Sequence, residues 1–127
     1  MKKRIVNLLI ADRNAHIREF LKREMTLEGY TVHLADNGDA VMKKIHTEEG
    51  IDLLIIDPEI PLCEELALMK RLGSLIPPLP IILHISPNSV DWLADLPNGA
   101  VVVEKGGNSI EALKQAVKKV ELKRVES

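Results

Sequence analysis

The stretch IDLLIIDPEIP, residues 51–61, decides how the rest of this chain is read. Leu53 to Ile56 is an unbroken aliphatic run, the pattern of a strand buried on both faces of a parallel sheet. The run ends on a carboxylate, Asp57, and Pro58 follows at once, removing a backbone donor and stopping the ladder. A following proline also biases Asp57 towards extended backbone. The acid is therefore expected at the carboxyl end of a core strand, on the lip of a sheet. It is either the first residue of a loop or a reactive group on a rigid platform.

Outward from this stretch, strands and helices alternate. Ile5 to Ala11 reads as a strand stopped by Asp12-Arg13-Asn14, and Ile17, Phe20, Leu21 and Met25 then follow at helical spacing up to Gly29. Tyr30 to Ala35 is a second strand, and Asn37-Gly38 turns the chain into a helix carrying Ala40, Val41 and Ile45. After the third strand the pattern predicts a helix over Leu66 to Leu72, a stiff loop with Pro77, Pro78 and Pro80, and a strand over Ile81 to Ile85. A short helix is expected over Val90 to Leu96, carrying the single Trp92, then a strand from Val101 to Glu104. A last helix has Ile110, Leu113, Val117 and Val120 on one face. Repeated strand-helix units imply a parallel α/β sheet with right-handed crossovers and helices on both faces. Ligands gather at the carboxyl ends of such strands, which singles out Asp12, Asp57, Ser86 and Lys105.

Composition sets the context. The 127 residues fit one domain, expected to span 1–127 with its core over 4–122 and a short C-terminal tail. A formal net charge of -2 gives no reason to expect nucleic acid or an anionic membrane as partner. The lone Cys63 cannot form an internal disulfide and suits a reducing compartment. Met1-Lys2-Lys3-Arg4 has the charge of a signal-peptide start, but the apolar stretch behind it stops at Asp12, so a cytoplasmic location is predicted. No glycine-rich phosphate loop follows the first strand, which argues against a nucleotide enzyme.

The stretches LLIADRNAHIREFL, HLADNGDAVMKKI, IDLLIIDPEIP, PIILHIS and GAVVVEK occur in this order along nearly the whole chain. Together they resemble the response-regulator receiver domain of two-component signalling. The resemblance implies a flavodoxin-like, doubly wound sheet of five parallel strands in the order 2-1-3-4-5, flanked by five helices. It implies a bacterial signalling module rather than an enzyme. Asp57 would be the phosphoacceptor, Pro61 the proline of the loop behind it, and Lys105 the lysine that contacts the phosphoryl group. Partners would be a histidine kinase or phosphotransfer protein upstream and a downstream protein or output domain. Chemistry agrees with those residue types. A carboxylate can attack a phosphoryl group and hold it as a mixed anhydride, and Mg²⁺ with a lysine commonly neutralises the phosphoryl oxygens. Asp12, Asp57 and the backbone carbonyl of Glu59 would be the metal ligands. A plainer reading makes Asp12 only the N-cap of the next helix.

Four positions depart from the receiver pattern. Arg13 stands where a second acid, the main metal ligand, is usual, so Mg²⁺ binding is expected to be weak or absent. Pointing inward, Arg13 would pair with Asp57; pointing outward, it would be a solvated charge. Ile85 replaces the hydroxyl residue of the fourth strand, and Ser86 would substitute only if the strand end twists. Val102 replaces an aromatic, and Gly106-Gly107 follow Lys105 where a proline is usual. A module that docks partners without phosphate is the alternative function. A small haloacid-dehalogenase-type phosphatase ranks third, because it wants an aspartate where Glu59 stands. Elsewhere, His16, His33, His46 and His84 share no metal-ligand spacing, and His84 is expected to be a packed or edge histidine. Cys63 reads as a small loop residue, Lys114, Lys118, Lys119, Lys123 and Arg124 as a solvated helix face, and Leu66, Leu68, Met69 and Leu72 as core.

Overall fold

A computed structural model describes residues 4–47, 50–64, 66–88 and 99–126. In chain order the elements are β1 (Asn7–Ala11), α1 (Ala15–Leu27), β2 (Thr31–Ala35), α2 (Gly38–Thr47), β3 (Ile51–Ile56), α3 (Leu68–Gly73), β4 (Ile81–Ile85), β5 (Val101–Glu104) and α4 (Ser109–Glu126). The five strands form one parallel sheet in the order β2-β1-β3-β4-β5. This is the flavodoxin-like arrangement expected from the sequence. The short helix expected over Val90 to Leu96, with Trp92, lies outside the described residues, among which four helices occur. Three starts move inward, the second strand by a single residue, from Tyr30 to Thr31. The first strand begins at Asn7 rather than Ile5, and α3 begins at Leu68 rather than Leu66, after Ala67 in a left-handed conformation.

Because strand side chains alternate between faces, the sheet divides the core in two. Leu8, Ile10, Leu53, Ile55, Ile82 and Val103 point to one side, where Leu21 and Met25 of α1 and Leu113, Ala116 and Val117 of α4 cover them. Leu9, Leu54, Ile56, Leu83 and Ile85 point to the other, under Val41 of α2 and Leu68, Met69 and Leu72 of α3. The last helix thus buries the apolar stripe read from the sequence. Among the described residues no helix is long and apolar enough to cross a membrane.

Local chemistry explains how α1 starts and stops. Asn14 caps it, its side-chain oxygen accepting the N–H groups of His16 at 2.9 Å and Ile17 at 3.1 Å. Gly29 takes a positive φ of 98° just beyond its end, while Tyr30 N–H returns to the Met25 carbonyl. The β1–β3 pairing is irregular at its base. Asn7 pairs with Ile51, but Leu8 pairs with Leu53, leaving Asp52 as an extra residue. The Asp52 carboxylate accepts the N–H groups of Val6 and Asn7, both at 2.9 Å, which secures the bulge.

The loop after β3 is tied to the start of α2. Gly38 N–H donates to the Pro61 carbonyl at 2.8 Å, and a Cβ on Gly38 would lie 2.7 Å from the Leu62 carbonyl oxygen. Only glycine permits that approach. Leu62 itself has a φ of 66°, uncommon for a branched residue, and this turns its carbonyl towards α2.

Candidate functional site

At the carboxyl edge the ladders run one residue past the strands and fix three backbones. Asp12 N–H donates to the Ala35 carbonyl at 3.2 Å, Asp57 N–H to Ala11 at 2.9 Å, and Lys105 N–H to Ile85 at 2.7 Å. By alternation all three side chains leave the sheet on the α1–α4 side, and they meet. Lys105 Nζ donates to Asp12 Oδ2 at 2.8 Å and to Asp57 Oδ2 at 2.5 Å. The remaining oxygens are held from below, Asp12 Oδ1 by Asn14 N–H and Asp57 Oδ1 by Glu59 N–H, each at 2.9 Å. The sequence thus places Asp12, Asp57 and Lys105 together, and the geometry brings them into one ion cluster. Asp12 is not the helix cap, a role that falls to Asn14. Instead, Arg18 of α1 donates to its backbone carbonyl at 2.7 Å.

Both carboxylates are deeply buried, Asp12 at 2% and Asp57 at 3% exposure, so the paired ammonium is what makes their charge tolerable. Burial alone would lower the pKa of Lys105. The hydrogen bonds and charges of Asp12 and Asp57 outweigh it, and the pKa is raised above its ordinary value. Two carboxylates against one ammonium leave the cluster one negative charge in excess. It can therefore bind a small cation, or use a carboxylate oxygen as a nucleophile once the ammonium shifts.

The other expected site residues lie apart from this cluster. Arg13 is exposed and lines a shallow surface cleft with Pro58, Glu59, Pro61 and Glu64. The cation that pairs with Asp57 is Lys105, so of the two orientations open in the sequence Arg13 takes the outward one. The Glu59 side chain is exposed, and its backbone N–H is what meets Asp57. Ser86 is half-buried, with no hydrogen bond to Asp57 or Lys105 among the described residues. Ile85 is buried on the far face of the sheet. Two buried carboxylates and a nearby carbonyl suit a hard cation such as Mg²⁺, which needs one or two carboxylates and keeps waters. Among the described residues no group of three His, Cys, Asp or Glu side chains could hold a metal, so a softer ion with a full set of side-chain ligands is a poor fit.

One neighbour of the cluster was not expected from the sequence. His84 is 3% exposed in β4, a strand with neighbours on both sides, so it is a packed histidine and not an edge one. Since Ile56 pairs with Leu83, the next step of the register sets His84 beside Asp57 and on the same face. Neither ring nitrogen has a hydrogen-bond partner among the described residues. Burial lowers its pKa from 6.5 to about 4; the charge of Lys105 also lowers it, against the opposite pull of Asp12 and Asp57. The ring is therefore neutral at physiological pH. Its signal in the sequence was parity alone: Ile82 and His84 share a face with Ile55 and Asp57.

Known proteins resemble this chain at several levels. A family model described as the response regulator receiver domain matches residues 8–96, well over half the chain but ending before β5 and Lys105. Response regulator MprA of Mycobacterium ulcerans is 32% identical over 96 residues, covering 75% of this chain and 41% of that protein. The chain thus spans about two fifths of the length of such curated relatives. Among solved structures, response regulator protein TrrA of Thermotoga maritima, in complex with Mg²⁺ and BeF, superposes with a TM-score of 0.77 at 32% identity. The match covers 91% of this chain and 98% of that one. A receiver domain protein from Clostridium thermocellum reaches a TM-score of 0.80 at 16% identity over 94% of this chain and 96% of its own, a likeness of fold alone.

Proposed function

The chain belongs to the response regulator receiver domain family, and on that premise we propose that it accepts a phosphoryl group on Asp57 and passes the signal on through a protein-interaction face. The observation that carries the reading is the Asp12–Lys105–Asp57 cluster, a buried carboxylate fixed by backbone contacts and paired with an ammonium that it shares with a second acid. The donor would be the phosphohistidine of a histidine kinase or phosphotransfer protein. Asp57 Oδ2 forms the new bond to phosphorus as the P–N bond breaks, and the bonding pair stays on the donor nitrogen. Glu59 N–H holds Oδ1 meanwhile and keeps the carboxyl plane aimed. Lys105, which has three N–H donors and a carboxylate on each side, can move from Oδ2 onto a phosphoryl oxygen while keeping Asp12.

Asp12, Asp57 and the carbonyl of Glu59 would hold Mg²⁺, whose contribution when bound is to neutralise charge on the phosphoryl oxygens. Arg13 puts a positive charge at the rim where an acid would help. Mg²⁺ is accordingly expected to bind weakly, and Arg13→Asp to tighten it roughly tenfold or more, since a repulsion of about 1 kcal/mol becomes an attraction of similar size. Calorimetric titration decides this; tight binding by the parent would refute it.

The acceptor itself is tested by intact mass after treatment with a small-molecule phosphodonor and Mg²⁺. The parent should gain one phosphoryl group and Asp57→Asn none. A gain that survives the substitution removes Asp57 from the role. A parent that never gains mass turns the reading to docking without phosphate.

A further inference from the structure

We propose that His84 is a positioning residue for the loaded acceptor: its imidazole, without a partner in the resting site, finds one in the acyl phosphate of Asp57. The inference rests on the acceptor reading above and adds a residue to it. Three observations on the resting molecule support it. His84 is buried at 3% exposure with both ring nitrogens unpartnered, in a core where nearly every polar group is satisfied. The register places it on the strand next to Asp57, on the face from which Asp12 and Lys105 also reach the cluster. At present the Asp57 oxygens take their hydrogen bonds from other donors, Oδ1 from Glu59 N–H and Oδ2 from Lys105, and the ring donates to neither.

An unmade hydrogen bond in a buried site is a cost borne by one state only. When a phosphoryl group occupies Oδ2 and draws Lys105 onto its own oxygens, acceptor oxygens appear beside a neutral ring that carries one N–H. A ligand shifts an equilibrium only through contacts that differ between the two states, and this contact exists in one of them alone. The fourth strand offers little else there, since Ile85 faces away and, among the described residues, Ser86 makes no hydrogen bond to Asp57. The histidine thus trades stability of the empty domain for affinity in the loaded one.

The test measures two quantities on the same chains, with beryllofluoride and Mg²⁺ as the phosphoryl mimic. His84→Leu, of similar size and apolar, should raise the denaturant midpoint of the empty protein and weaken mimic binding by about tenfold. His84→Asn, which keeps an N–H donor, should recover most of the lost affinity. A merely structural histidine would move stability and affinity down together in His84→Leu, and that result overturns the inference. So does affinity unchanged in His84→Leu while the parent binds the mimic and takes phosphate on Asp57. A parent that neither binds the mimic nor gains mass defeats the acceptor reading first, and this inference with it.

Discussion

Lys105→Met is expected to destabilise the folded domain by about 3 kcal/mol at neutral pH, near the low end of the cost of stripping one partner from a buried ion pair. The low end applies because the lysine side chain is 19% exposed, while the Asp12 and Asp57 side chains are at 2% and 4%. Without the ammonium, two buried carboxylates that now share one cation face each other with only limited access to water. The remedy follows from the same geometry. Asp12→Asn in the Lys105→Met background removes the like-charge pair and should restore most of the lost stability, an interaction that a double-mutant cycle in urea reads directly. A single variant as stable as the parent would mean that the carboxylates are not coupled through Lys105. The stabilisation from Lys105 has a defined pH range. Its folded-state pKa is raised, so the contribution is complete below the unfolded value and disappears only as pH climbs through the folded one.

His84 gives the second large effect, at the acid end. Its folded-state pKa lies at about 4 against 6.5 for the free side chain, so between those values the unfolded chain takes a proton that the folded one refuses. Stability therefore falls as pH drops from about 6.5 and the loss is complete near 4. It amounts to about 3 kcal/mol at ~1.4 kcal/mol for each tenfold change in proton affinity. Burial of the ring sets most of this value; the charge of Lys105 reinforces it, and Asp12 and Asp57 oppose it. Urea midpoints of the parent and His84→Leu at pH 7 and pH 4.5 isolate the contribution. The gap between the two proteins should widen on acidification. Parallel loss in both would show that the ring gains its proton as readily folded as unfolded.

The sequence was most legible where chemistry is repeated along a strand. The aliphatic run of Leu53 to Ile56, stopped by Pro58, placed Asp57 at the sheet edge, and β4 and β5 have the bounds read from Ile81 to Ile85 and Val101 to Glu104. What stayed hidden depends on tertiary geometry. The α3 start moved because Leu62 and Ala67 adopt left-handed backbone that no residue type announces. Asp12 read as either a metal ligand or a helix cap; Asn14 takes the cap, and the approach of Lys105 from a distant strand, which no local pattern announces, draws Asp12 into an ion cluster. The direction of Arg13 is a rotamer, which composition does not encode. His84 looked isolated because its neighbours, Asp57 among them, are lateral, one strand away, rather than along the chain.

The irregular step at the base of β1 and β3 has a consequence at the opposite end of the sheet. Were the pairing of Asn7 with Ile51 continued without interruption, Asp12 would stand beside Ile56, and the carboxylates of Asp12 and Asp57 would emerge on opposite sides. The extra residue, Asp52, advances β3 by half a pleat period against β1, and every later pair inherits that offset up to Ala11 and Ile56. The two acids therefore come into phase because of a correction made where the strands begin. Its anchor is a third carboxylate, which clasps two backbone amides at the far end of the strands from Asp12 and Asp57. The chain keeps its reactive edge in time with a metronome set at the foot of the sheet.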